Sequence, residues 1–187
     1  MNFYQCEIAG ENYIGFITYA LRTSDKFSFF IPHLNELSPE EKQFQDGVKK
    51  HMELDPAAES ENEAALNGEV QGYLREMRKR TAALAGDILK TDRSYSYLGY
   101  GYGHLCESYW VSAAGGSAKA FLLSENNIFA WRYPYAPEDL AFFRGDTVWC
   151  RTVAHEKTIF FTGISEQEAA LIQGQWIVKK EKQSAVL

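Results

Sequence analysis

The stretch YSYLGYGYGHLCE, residues 95–107, marks the point where the apolar pattern of the chain changes its period. From about residue 38 to residue 89, apolar side chains recur every three or four positions, which is typical of helices with one face toward a core. From Ser94 onward they recur every second position, which is typical of strands. The change predicts an α+β fold, mainly antiparallel, with helices inserted between two groups of strands.

The same stretch combines bare backbone with aromatic side chains. In a single extended strand its three glycines would share one face. The opposite face would carry the larger side chains Leu98, Tyr100, Tyr102 and His104. Glycine in a strand indicates close approach by a packed element or a ligand, and we expect internal packing to account for it here. The G-x-G-x-G pattern does not predict a nucleotide site, because no helix start follows it.

Two main helices are predicted between the groups of strands. The first, at about 39–52, is preceded by Ser38 and has Glu41 three residues later, the spacing of a capping box. The second, at about 63–89, carries one apolar stripe formed by Leu66, Val70, Leu74, Met77, Thr81, Leu84 and Ile88. An acidic segment at 53–63 is predicted to connect them.

About ten short strands make up most of the remaining chain, in a single predicted domain, 1–187. At the N-terminus FYQCEIA and NYIGFITYAL are interpreted as a hairpin, with KFSFFIP as the third strand of a meander. The C-terminal half supplies further β-like runs, among them CESYWVSA, AKAFLLS, NIFAWRY and the hairpin TVWCRTVAHEKTIFFT. Short helices are predicted near 137–144 and 166–173, an edge strand at QWIVK and a loose tail at 179–187.

The composition describes a globular protein with an acidic balance. Of 187 residues 45% are hydrophobic, and the net charge is −6. The acid excess argues against a nucleic-acid partner, because binding to phosphates depends on basic side chains. Glu7 stands where a signal peptide would be apolar, and no run is long enough for a membrane span. With three widely spaced cysteines, the sequence predicts a cytoplasmic protein without a membrane partner.

The histidine and cysteine of the 95–107 stretch are candidates for catalysis. His104 and Cys106 lie two residues apart, and Cβ atoms at that spacing on a strand are ~7 Å apart, too far for a direct thiol–imidazole hydrogen bond. A Cys106 nucleophile would need a distant base such as His155 and an acid such as Glu107. His155 is also expected to lie beside Glu156 at a hairpin tip. Because no complete catalytic constellation is present, the sequence predicts a non-catalytic protein.

Neither a metal nor a cofactor is predicted. The segment HEKTI, residues 155–159, begins like a zinc-protease helix but has Ile159 where the second histidine ligand would stand. It also lies between two strand-like runs, where residues four apart do not share a helical face. The four histidines of the chain are scattered over the sequence, with no dense carboxylate motif beside them.

The predicted function is that of a protein-interaction or regulatory domain, such as an inhibitor or an immunity-type protein, with a basic protein as its partner. Its binding residues are expected on the Tyr100–His104 face and in the aromatic segment WRYPYAPED: Tyr100, Tyr102, His104, Trp131, Tyr133 and Tyr135.

Two alternatives to the protein-interaction function remain open. The first is a small-molecule-binding protein or hydrolase that uses the tyrosine, histidine and cysteine face of the 95–107 strand. The second is a phosphate or RNA ligand at the one basic cluster of the acidic chain, formed by Arg75, Arg78, Lys79 and Arg80.

Overall fold

A computed structural model describes residues 2–52 and 56–179, which contain five helices and eight strands. The helices are α1 Gly10–Thr23, α2 Pro39–Met52, α3 Pro56–Ala82, α4 Ala118–Leu122 and α5 Glu166–Gln175. The strands are β1 Asn2–Glu7, β2 Lys26–Leu37, β3 Ile88–Tyr97, β4 Tyr100–Ser112, β5 Glu138–Arg144, β6 Thr147–Val153, β7 Thr158–Phe161 and β8 Val178–Lys179.

The strands form one sheet in the order β3-β4-β2-β5-β6-β7-β1-β8, and every neighbouring pair is antiparallel. The predicted α+β class with an antiparallel sheet is therefore confirmed, although about ten strands was an overestimate. The N-terminal meander was wrong. β1 pairs with β7 and β8, whereas β2 pairs with β4 and β5, so the first two strands lie apart in the sheet.

One large core fills the space between one face of the sheet and helices α1, α3, α4 and α5. Its aromatic side chains make edge-to-face and stacked contacts. Phe16 of α1 packs edge to face against both Phe142 and Phe161, with ring centres 6.3 Å apart. Phe29 of β2 stacks on Phe121 of α4 at 5.0 Å. These rings account for much of the aromatic content of the chain, and they stabilise the sheet against its helices.

The segment NYIGFITYAL is helical and not the second strand of a hairpin. Its β-branched and aromatic residues favour a strand. However, the fully buried side chains of α1 are Tyr13, Phe16, Ile17 and Ala20, which recur at steps of three and one, the spacing of one helical face. Burial of that face against the sheet overrides the local propensity.

The helix predicted near 137–144 is wrong as well, because these residues form strand β5. Its consecutive residues Leu140, Ala141 and Phe142 are all fully buried, since β5 lies in the middle of the sheet with both faces covered. A strand buried on both faces loses the alternation that identifies a strand in sequence.

Two of the predicted strands are not strands. The run AKAFLLS contains helix α4, and NIFAWRY lies outside helices and strands.

The other predicted helices have the right type, and two have nearly the right bounds. α2 matches the predicted 39–52, and α5 extends the predicted 166–173 by two residues. The second main helix begins earlier and ends earlier than 63–89. α3 covers part of the predicted acidic connection, and turns and the first two residues of β3 replace residues 83–89 of the prediction. Residues 53–55 of that connection, and 180–187 of the predicted tail, lie outside the described residues.

The 95–107 stretch is a hairpin and not one continuous strand. Leu98 and Gly99 have φ angles of 51° and 83°, the positive values of a two-residue type I′ turn between β3 and β4. A Cβ atom on Gly103 would lie 3.2 Å from a carboxylate oxygen of Glu41 in α2, so this glycine admits the close approach of a helix. A Cβ atom on Gly101 would meet nothing within 4 Å.

Candidate functional site

A cavity of about 290 Å³ lies on the face of the sheet opposite the large core, between the β3–β4 hairpin and the β6–β7 hairpin. We call it the tyrosine–arginine cavity after five of its lining residues: Tyr97, Tyr100, Tyr102, Arg151 and Phe160. The two hairpins are not neighbours in the sheet, since β2 and β5 lie between β4 and β6. The cavity therefore exists because the tip of the β3–β4 hairpin folds across the sheet.

A tyrosine at the end of β3 fixes the folded hairpin tip. The Tyr97 hydroxyl lies 2.7 Å from the Ser28 hydroxyl of β2 and donates to the carbonyl oxygen of Asp139 in β5 at 3.3 Å. Its ring contacts Phe30, with ring centres 4.9 Å apart. Together with buried Cys106 these residues form a second, smaller apolar cluster that supports the floor of the cavity.

Arg151 is the cation of the cavity. Its guanidinium carbon lies 4.4 Å from the ring centre of Tyr100 and 4.7 Å from that of Phe160, so two aromatic rings flank the charge. The Nε atom is buried without a hydrogen-bond partner. Among the residues whose side chains the structure describes, no carboxylate lies within ion-pairing distance of this guanidinium. Arg151 therefore brings a positive charge to the cavity without a direct ion pair to those side chains.

Asp139 supplies a carboxyl group to the cavity wall. It is 4% exposed, and its Oδ1 accepts a hydrogen bond from the backbone N–H of Ala154 at 2.7 Å. Its Oδ2 accepts from the Tyr102 hydroxyl at 3.4 Å. Burial raises the pKa of Asp139 to about 6, and the neighbouring Glu138 adds to this effect. The carboxyl of Asp139 thus changes its charge close to neutral pH.

The rim of the cavity is polar and exposed. His155 and Glu156 lie in the turn between β6 and β7, with the imidazole Nε2 3.8 Å from the Glu156 carboxylate. Both side chains line the cavity. On the opposite rim Tyr100 is 53% exposed, a large aromatic surface that the fold leaves open to solvent.

Four of the residues singled out in the sequence meet at this cavity: Tyr100, Tyr102, His155 and Glu156. Arg151, Asp139 and Phe160 were missed. Arg151 carries the one signal that sequence reasoning could have used, a charged residue in the middle of the strand-like run TVWCRTV. Asp139 and Phe160 carry none, because their place in the cavity depends on the folding of the β3–β4 tip over β5.

The candidate catalytic group of His104, Cys106 and Glu107 does not assemble. The Cys106 thiol is buried, and it donates to the carbonyl oxygen of His104 at 3.7 Å. Burial raises the pKa of this thiol to about 12, which suppresses the nucleophilic thiolate. His104 is half-buried beside Tyr102, its Nε2 has no partner among the described residues, and burial lowers its pKa.

Glu107 lies on the opposite, helix-covered face and belongs to a charged network. One of its oxygens lies 3.1 Å from the Nε2 atom of buried His33, and the other accepts from the Tyr109 hydroxyl at 2.6 Å. The Nδ1 atom of His33 lies 3.1 Å from Glu36. The hydrogen bond with His33 lowers the pKa of Glu107 to about 2. Through His33 the network joins strands β2 and β4.

The aromatic segment around Trp131 is directed away from the tyrosine–arginine cavity. Trp131 is fully buried, and its indole N–H donates to the Tyr13 hydroxyl at 2.9 Å. Tyr133 packs edge-on against Tyr73 of α3 at 4.8 Å. Tyr135 is 77% exposed and lines a separate cavity of about 420 Å³. The structure therefore does not form one groove between this segment and the Tyr100–His104 face.

The basic cluster of α3 is partly neutralised within the fold. Arg80 pairs with Glu125 at 2.6 Å and donates to the carbonyl oxygen of Tyr135 at 2.8 Å. Lys79 lies 3.4 Å from Glu76. Arg75 and Arg78 are exposed. The cluster is therefore divided between a tertiary contact and the solvated face of a helix.

Within the described residues, no group of three or more histidine, cysteine, aspartate or glutamate side chains is arranged to hold a metal ion. The helices of the same residues include none with the length and apolar character needed to cross a bilayer. No family model, curated protein or solved structure gives a significant match to this chain.

Proposed function

We propose that this protein is a non-catalytic interaction domain, of inhibitor or immunity type, that binds a partner protein through the tyrosine–arginine cavity and its rim. The observation that carries the proposal is the exposed Tyr100 ring stacked on Arg151 beside an open cavity. Tyrosine and arginine are enriched among the residues that supply most of the binding energy in protein interfaces, and such residues cluster in pockets.

The chemistry of the site supports binding more than catalysis. A nucleophilic thiol has to be ionised or activated by a neighbouring base. The Cys106 thiol is buried and its pKa is raised, so it is not ionised at neutral pH. This weakens the hydrolase alternative. A cavity of about 290 Å³ is at the lower end of the size of ligand pockets, so it also suits one side chain or a chain end of a partner protein.

The charge of the whole chain favours a basic partner. A net charge of −6 attracts a basic surface at long range and raises the rate of encounter.

The three cysteines are free thiols, which fits the proposed location in the cytoplasm.

An affinity capture from a lysate of the source organism at low salt tests the proposal. The bait would be the wild type, Tyr100→Ala or Ile14→Ala. Ile14 is a matched control because it is 50% exposed and lies on α1, on the other side of the sheet. The proposal expects a protein retained by the wild type and by Ile14→Ala and lost with Tyr100→Ala. Equal retention by all three baits, or by none, would count against it.

A further inference from the structure

We infer that the tyrosine–arginine cavity contains a carboxylate-binding subsite centred on Arg151. The inference rests on the proposed function in taking this cavity as the binding site, and it names the chemical group that the cavity accepts. The shared chemistry is a carboxylate, either on a free small molecule or on a side chain or C-terminus of a partner protein.

The position of Arg151 carries the inference. Its guanidinium is flanked by Tyr100 and Phe160 at 4.4 and 4.7 Å, which restricts the orientation of the planar group. Neither ring supplies a negative charge. A guanidinium that is held in place and has no carboxylate partner among the described side chains is preorganised to bind one.

Two other arginines of the fold combine an aromatic ring with a carboxylate of the chain. Arg144 and Arg80 are also in contact with an aromatic ring, since they lie 4.3 Å from Trp149 and 5.9 Å from Trp131. Each of these two arginines is paired with a glutamate of the chain, at 2.5 and 2.6 Å. Arg151 has the aromatic rings but not the carboxylate, and a ligand carboxylate would take the place that a glutamate has at Arg144 and Arg80.

The remaining charges of the cavity select a monoanion. Asp139 and Glu156 line the same space, and His155 stands at the rim beside Glu156. A phosphate dianion would bring a second negative charge close to these carboxyl groups with a single arginine to compensate it. A carboxylate carries one charge and matches the planar fork of the guanidinium, which makes two parallel hydrogen bonds to it.

The walls of the cavity suit a flat apolar body attached to the carboxylate. Tyr97, Tyr100 and Phe160 contribute ring surfaces, and Leu98 and Val153 contribute aliphatic surface. Benzoate is therefore a suitable probe, and benzamide is its neutral counterpart of almost the same shape.

The test is a titration of the wild-type protein with benzoate and, separately, with benzamide, followed by amide chemical shifts in NMR spectra. We expect benzoate to shift the signals of residues 97–102 and 151–156 in a saturable manner, and benzamide to leave them unchanged. Equal shifts by the two probes, or no shift with benzoate, would overturn the inference. This comparison uses the wild type alone and does not depend on the folding of a variant.

Variants then assign the effect to Arg151. Arg151→Met should weaken benzoate binding about tenfold or more, because the charge-assisted pair is lost. Arg151→Lys should weaken it less, since the charge remains but the fork does not. Arg22→Met is the control, because Arg22 lies on α1 over Tyr19 and outside the cavity, and it should bind like the wild type. Unchanged affinity in Arg151→Met would place the carboxylate elsewhere.

Two further comparisons are needed. One identifies the source of the carboxylate, and the other shows which of the two proposals fails. A short peptide with a free C-terminus, compared with its C-terminal amide, tests whether a chain end can enter the cavity. Benzoate binding without any captured protein would leave the subsite standing and overturn the protein-interaction proposal. A captured protein that depends on Tyr100, with no response to benzoate or to the free-acid peptide, would overturn the subsite alone.

Discussion

Single residues set the electrostatic character of this fold, and two carboxyl groups show opposite effects of burial and hydrogen bonding. Asp139 is buried in the cavity wall with a raised pKa, so its ionised form is disfavoured in the folded protein. Glu107 is held by His33 and Tyr109 and has a lowered pKa, so its ionised form is favoured. The two groups therefore contribute to stability with opposite dependence on pH.

Asp139→Asn should stabilise the protein at neutral and alkaline pH. The pKa of Asp139 in the folded protein, about 6, lies above its ordinary value of 3.8, so the ionised carboxyl destabilises the fold. This destabilisation is absent below pH 3.8 and is fully present above pH 6. Asparagine keeps an acceptor for the Ala154 N–H and tolerates the φ of 44° at this position. We expect a gain of roughly 1–3 kcal/mol at pH 8, and little at pH 4, in urea unfolding.

Glu138 beside Asp139 also has a raised pKa, and its charge helps to raise the pKa of Asp139, so Asp139→Asn removes the repulsion between the two carboxylates as well. A variant with the same stability difference at pH 4 and pH 8 would show that Asp139 is not responsible for the pH dependence.

Glu107→Gln should have the reverse profile. The folded pKa of about 2 lies below the ordinary 4.5, so the ionised carboxylate stabilises the fold above pH 4.5, and this contribution is lost as the pH falls toward 2. Replacement by the neutral amide should cost about 2 kcal/mol at pH 7, the worth of a hydrogen bond to a charged group. Urea unfolding at pH 7 and pH 3 should show a smaller cost at pH 3; a cost independent of pH would contradict the charged network.

Part of the candidate site was predictable from the sequence at the level of residues. Tyr100, Tyr102, His155 and Glu156 stand out because aromatic and ionisable side chains occur there in turn-rich segments. Arg151 and Asp139 acquire their significance only from long-range contacts, since one is flanked by a residue of a distant hairpin and the other is buried under it. Periodicity and motif spacing contain no information about such contacts.

Elements of secondary structure were predicted well where local chemistry fixes their ends. The hydroxyls of Ser38 and Ser165 accept hydrogen bonds at 3.1 Å from the backbone N–H groups of Glu41 and Glu168, as capping serines do. The carboxylate of Glu168 does not return to its own cap, because it pairs with Arg144. In α1 and β5 burial by the rest of the fold determines the structure, and the local pattern misled the prediction.

The cap of α5 gives a prediction at the scale of one element. Ser165→Ala removes the acceptor for the Glu168 N–H, and we expect a loss of about 1 kcal/mol in the free energy of unfolding. Ser165→Thr keeps a hydroxyl in the same position and should stay close to the wild type. Chemical denaturation of the three proteins at pH 7 measures both differences; a loss of equal size in the threonine variant would show that the hydroxyl is not the stabilising group.

At the scale of the whole molecule, burial separates an aromatic interior from the surface that carries the tyrosine–arginine cavity. The helices cover one face of the sheet, and the core between them holds most of the large aromatic rings. The opposite face carries an exposed tyrosine, an arginine flanked by aromatic rings and a cavity. The three cysteines belong to the interior, which excludes them from the chemistry of that surface.

The thiols provide a prediction about the interior as a whole. Burial raises the pKa of Cys6 and Cys106 to about 12, and it raises that of Cys150 as well. All three should resist iodoacetamide at pH 8 in the native protein and react fully in denaturant, as counted by mass spectrometry. Rapid labelling of Cys106 in the native protein would contradict its burial and would restore a nucleophile to the candidate site.

Photo-cross-linking from the rim of the tyrosine–arginine cavity tests the central claim most directly. A benzophenone amino acid would replace Tyr100 in one protein and Ile14, on the helix-covered side, in another, and both would be irradiated in cells of the source organism. We expect position 100 to form a covalent adduct with a discrete partner protein, and position 14 to form none. Adducts from position 14 alone, or the same adducts from both positions, would contradict binding through this cavity.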